Sequence, residues 1–143
     1  MWRVFSCCVV LACGPSAKRQ DLRGPSPVVA PSAVGAVEIA PTMIEPFRIA
    51  GETKIIPADT DRVNLPVGAQ VRGRFQLCLD ATGKPTSVAV TNTTGIANYD
   101  RKIVDRMWSW AFNPIVVDGK PARVCSQVTF LFEQTKPVVI QRH

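Results

Sequence analysis

Two stretches of this chain alternate so regularly that neither can be a helix. From Gln70 to Asp80, Val71, Gly73, Phe75, Leu77 and Leu79 fall on one side, and Arg72, Arg74, Gln76, Cys78 and Asp80 on the other. From Ala122 to Glu133, Ala122, Val124, Ser126, Val128, Phe130 and Phe132 oppose Arg123, Cys125, Gln127, Thr129, Leu131 and Glu133. A period of two marks a strand with one covered face, so a sheet must form and a second layer must cover it. Ala81-Thr82-Gly83-Lys84 is turn chemistry, and Thr86 to Asn92 returns with Val88 and Val90 in alternation, which predicts a hairpin. Thr94-Gly95 ends it.

The second layer is supplied by a helix predicted from Asn98 to about Trp110. Ile103, Val104, Met107, Trp108 and Ala111 recur at helical spacing, with Arg101, Lys102, Asp105 and Arg106 outside. Asn98 is the expected N-cap, and Asp100 places negative charge in the first turn. Trp108, Trp110 and Phe112 then recur every second residue, predicting an extended exit before Pro114, and Asp118-Gly119 is a turn signal. The two tryptophans are expected as core, the alternative being a ligand-stacking surface. The fold class that follows is α+β, a two-layer sandwich. Its three-stranded antiparallel sheet has the amphipathic helix packed on the Phe75/Leu77/Val128/Phe130 face. Phe47 to Gln70 reads as an irregular lead-in, with room for one or two helical turns between Pro57 and Pro66.

The N-terminus has the order of a targeting segment. Met1-Trp2-Arg3 is a short positive region and Val4 to Ala12 an apolar run, which reads as a secretory signal. That run is half the roughly 18 residues that a membrane-spanning helix needs. Val10-Leu11-Ala12-Cys13-Gly14 resembles a bacterial lipobox, with Leu11 where a small residue is usual; it predicts lipidation at Cys13. The alternative is plain cleavage nearby, leaving a soluble periplasmic protein. Pro15, Pro25, Pro27, Pro31, Pro41 and Pro46 make the next stretch a semi-rigid spacer. The expected organisation is a signal over 1–12, a lipid-anchored proline-rich tether over 13–46 and a folded domain over 47–143.

Of the five cysteines, Cys7 and Cys8 belong to the signal and Cys13 to the lipobox. Cys78 and Cys125 lie mid-strand on the polar sides of their strands. If the first and third strands are neighbours, the two face each other and can bond. An exported protein meets an oxidising compartment, where such a bond persists. A redox role would call for the Cys-x-x-Cys spacing that is missing here.

Other chemistries find little support. The single histidine is His143, so neither a histidine-based triad nor an ordinary His/Cys metal site can be assembled. Asp80, Asp100, Asp105 and Asp118 read as turn, cap and surface residues, so no enzyme activity, catalytic residue, metal or cofactor is expected. The net charge is +6, and from residue 47 onward 13 Lys and Arg face 8 Asp and Glu. Arg72, Arg74 and Arg123 are candidates for a cationic patch on the open sheet face, a solvated face being the plainer reading. Export and the absence of a nucleic-acid motif argue against a nucleic-acid partner.

Gly73-x-Phe75-x-Leu77-x-Leu79-Asp80-x-x-Gly83, Val88-x-Val90, Thr94-Gly95 and Tyr99-Asp100 resemble, in order, the C-terminal domain of TonB-type energy transducers. Trp108-x-Trp110-x-Phe112-x-Pro114, Asp118-Gly119-Lys120-Pro121 and Val124-x-x-x-Val128-x-Phe130-x-Phe132 continue the resemblance, over about residues 70 to 133. Leu77-Cys78 with Val124-Cys125 is similar to a secreted or lipoprotein subgroup. The family's transmembrane helix and its Tyr-Pro element before the first strand have no counterpart in this sequence. The resemblance implies a periplasmic protein-binding module linked to TonB-dependent transmembrane transport. It would capture an envelope protein's TonB-box peptide by strand addition beside the third strand. Carried over, the edge is Arg123, Val124, Cys125, Ser126, Gln127, Val128 and Thr129, and pairing of two copies through that edge stays open. The alternative is a structural cell-envelope lipoprotein that contacts the cell wall or an envelope complex without energy transduction.

Overall fold

The alternating stretches form the two central strands of the main sheet. The computed structural model describes residues 35–138. The signal-like segment, Cys13 and most of the proline-rich stretch lie outside them. In chain order the elements are β1 (Val37–Glu38), α1 (Pro41–Ile44), a 3-10 turn (Glu45–Phe47), β2 (Arg48–Ala50), α2 (Asp59–Arg62), β3 (Gln70–Leu79) and β4 (Pro85–Asn92). There follow α3 (Ala97–Trp108), β5 (Ala111–Phe112), β6 (Val116–Val117), β7 (Lys120–Pro121) and β8 (Val124–Glu133). The main sheet has the order β1-β8-β3-β4. β3 runs antiparallel to both β4 and β8, and β1 lies parallel to β8.

The α+β sandwich is therefore present, but with four strands where three were expected. Period-two patterning could not reveal the extra strand, because β1 is two residues long and followed closely by Pro41. β3 and β8 pair without a register shift from Gln70↔Glu133 to Leu79↔Val124. Their inner face buries Val71, Phe75, Leu77, Leu79, Val124 and Phe130, and the Phe75 ring meets Phe130 edge-on with centroids 5.6 Å apart. α3 contributes Tyr99, Ile103 and Met107, one residue per turn, and packs chiefly on β4 and β3. Ile44, Ile55, Trp110 and Phe112 extend the core, and Trp110 stacks toward Phe130 at 6.2 Å.

Three local expectations change. α3 starts at Ala97, with Ile96 rather than Asn98 in the N-cap position and no side-chain cap. The preceding loop instead folds onto Asp100. That carboxylate accepts from the Thr94 amide (2.9 Å), the Thr94 hydroxyl (2.6 Å) and the Thr93 hydroxyl. Trp108 is 47% exposed, because the buried positions 99, 103 and 107 set a helix face that residue 108 falls outside. Trp110, beyond the helix end, is the buried one. The lead-in also contains β2, which pairs antiparallel with β5.

Candidate functional site: the outer edge of β8

The Val37 amide donates to the Arg123 carbonyl (2.9 Å) and the Ile39 amide to the Cys125 carbonyl (2.8 Å). Odd-numbered residues of β8 therefore aim their main-chain groups away from β3, and even-numbered residues aim theirs toward it, since these directions alternate along a strand. The cysteine pair fits that parity. Cys78 and Cys125 are register partners joined by a disulfide, with Cα atoms 4.0 Å apart, as in the close, non-hydrogen-bonded kind of antiparallel pair. Beyond β1 the alternation turns the main-chain groups of Gln127, Thr129, Leu131 and Glu133 outward. Among the described residues no strand pairs with that part of the edge.

A groove of about 740 Å³ runs beside it, with Ile44, Ile55, Trp110, Phe112 and Phe130 among its apolar walls. Thr53 to Ile56 form part of the lining. Together with Glu52 this segment belongs to no helix or strand, so its polar backbone needs other partners. Three side chains from α3 and its exit supply them: the Trp110 indole N–H to the Glu52 carbonyl (3.0 Å), the Tyr99 hydroxyl to the Ile55 carbonyl (2.8 Å) and the Lys102 ammonium to the Ile56 carbonyl (2.9 Å). Burial, and secondarily the charge of Asp100, push the Tyr99 hydroxyl pKa up. Arg48 fixes the corner. Its guanidinium lies 5.8 Å from the Trp110 ring centroid, donates to the Gly51 carbonyl (2.7 Å) and pairs with the Glu45 carboxylate. The hydrogen bond to Glu45 holds the Arg48 pKa above its ordinary value. Gly51 is required there, because a Cβ would lie 2.1 Å from Trp110 Cδ1. Arg62, paired with Asp59, stands 6.0 Å from the Phe132 ring centroid and also lines the groove.

The residues predicted for the edge separate by parity. Val124 and Ser126 are fully buried, and their main chains face β3. Val128 is partly buried against the core. Arg123 and Cys125 face outward, but their carbonyls are already taken by β1. Gln127 and Thr129 remain available, and the Gln127 side-chain carbonyl accepts from the Thr91 hydroxyl at 3.0 Å. Leu131 and Glu133 complete the open stretch; exposed Leu131, an apolar residue on the polar side of the alternation, was the available sequence signal.

Arg72 and Arg74 are exposed opposite Leu131 and Thr129, while Arg123 lies six residues from Thr129 along β8. That is about 20 Å at the usual rise, so the three arginines do not form one patch. Among the described residues, no three His, Cys, Asp or Glu side chains gather as metal ligands. No helix among them is long and apolar enough to cross a membrane.

No protein-family model matches the chain, and no curated protein matches it. Among solved structures it is similar to the solution NMR structure of the Pseudomonas aeruginosa TonB CTD, at 17% identity and a TM-score of 0.48, over 67% of this chain and 88% of that one.

Proposed function

We propose that this chain is a protein-binding module of the cell envelope that takes up an extended peptide by strand addition on the outer edge of β8. The observation that carries this reading is the row of outward main-chain groups at Gln127, Thr129, Leu131 and Glu133, unpaired by any strand among the described residues and bordered by an apolar groove. An unpaired edge is a template for another strand, and main-chain hydrogen bonds would supply affinity while alternate side chains of the guest enter the groove. The open stretch spans about 20 Å, enough for roughly seven extended residues.

The ordered motifs that resemble TonB C-terminal domains support a TonB-box-like segment of an envelope protein as the guest, and a link to TonB-dependent transport. Lipidation at Cys13 would hold the module at a membrane through the proline-rich tether. Titration of the ¹⁵N-labelled protein with a TonB-box peptide tests the reading. The expected result is shift changes along Gln127 to Glu133; no change there at millimolar peptide contradicts it.

A further inference from the structure

The edge of β8 has two sections in different states. From Gln127 to Glu133 no strand among the described residues pairs with it, though α1 packs against β8; at Arg123 and Cys125 it carries β1, a piece of the same chain. β1 is lightly held: its two residues are exposed, the amides of Val37 and Ile39 bond to β8, and the one side chain of Val37–Ile39 that packs on the core, Ile39, is only partly buried. The next buried anchor is Ile44, beyond Pro41. β8, in contrast, is secured on its other side by continuous pairing with β3 and by the disulfide at Cys125 itself. Removing β1 therefore leaves the β8 edge standing, with its parity unchanged.

We infer that Val37–Ile39 is a built-in competitor strand, which occupies the Arg123–Cys125 section of the docking edge and is displaced when a longer guest strand extends along β8. This rests on the strand-addition reading and adds a regulated section to the same surface. β1 is itself the model for the guest: it shows that this section accepts an extended backbone in parallel orientation. A guest seated on Gln127 to Glu133 would continue along the line that β1 now follows. Displacement would add the outward groups of Arg123 and Cys125 to the four already open. Because β1 lies within the proline-rich stretch, after Pro31 and ahead of Pro41, tension from its N-terminal side would peel β1 from the edge, and the peel would stop at Ile44.

The test uses the full chain, its Val37→Pro variant and a TonB-box peptide as probe. Val37 is exposed and only its amide is lost, so the variant removes the bond to Arg123 with little cost to the core. In the unaltered protein, hydrogen exchange at Val37 and Ile39 should run at least ~100-fold faster than at Val128, the mark of local opening without global unfolding. In the variant, the peptide's footprint should spread from Gln127–Glu133 to Arg123–Cys125, with affinity raised at least ~3-fold by the removed competition. Exchange at Val37 and Ile39 as slow as at Val128, or an identical footprint and affinity in both proteins, would overturn the inference. A peptide that bound neither protein would overturn the strand-addition reading instead, and the exchange rates would still decide whether β1 opens on its own.

Discussion

The Tyr99 hydroxyl donates to the Ile55 carbonyl at 2.8 Å, joining α3 to a segment 44 residues earlier in the chain. With the bonds from Lys102 and Trp110, it holds one wall of the groove in place without any sheet ladder. The wall is thus an attachment of the helix, and its position depends on a few named side chains.

Tyr99→Phe removes the hydroxyl and leaves the Ile55 carbonyl unsatisfied, for an expected loss of about 1 kcal/mol. It also changes the alkaline limb. Because the folded-state pKa of Tyr99 is raised, its contribution is full below the unfolded value near 10 and is lost as pH rises through the folded value. Urea midpoints measured from pH 8 upward should fall less steeply for Tyr99→Phe than for the unaltered protein.

The disulfide closes a loop across a separation of 47 residues. Its loss, in a Cys78→Ser, Cys125→Ser double variant, should cost up to about 4 kcal/mol in the chain-entropy account. Since both cysteines are 2% exposed, a mild reductant should leave the folded protein oxidised and attack it only when β3 and β8 separate. Thiol labelling across a urea gradient reads both effects.

Gly83 has φ +87°, and a Cβ there would sit 2.1 Å from the Phe112 carbonyl oxygen. The Gly83 carbonyl also accepts from the Phe112 amide at 3.2 Å. The β3–β4 turn is thereby docked on the exit from α3, which it could not be with a side chain. Gly83→Ala should cost about 3 kcal/mol, from the left-handed conformation and the clash together, read as a lowered thermal midpoint.

Anchoring is tested at the other end of the chain. Cys13→Ala should move the protein from the membrane pellet to the soluble periplasmic fraction, and should abolish labelling by a radioactive fatty acid. Retention of the variant in the pellet would contradict the lipid anchor.

What was legible in the sequence follows from length and period. β3 and β8 are long enough for their patterns to repeat, so their covered faces could be read, and with them the opposition of Cys78 and Cys125 once the two strands are taken as neighbours; the face of α3 could be read only in part, since Trp108 falls outside it. β1 could not, because two residues have no period. The wall at 52–56 could not, because its carbonyls are satisfied by side chains from residues 99 to 110, a long-range arrangement with no local signature. Parity was the missing piece at the edge. Alternation of side chains told which residues face the core, but which carbonyls face outward became visible only from the Val37–Arg123 and Ile39–Cys125 bonds.

Gln127→Pro tests the central claim most directly. The Gln127 amide points away from β3, so proline there deletes one outward donor without breaking the ladder that holds β8, a position where strands tolerate it. The prediction is a thermal midpoint close to that of the unaltered protein, with TonB-box peptide binding lost in the same NMR titration. A variant that folds and still binds the peptide as well as the unaltered protein would contradict strand addition at this edge.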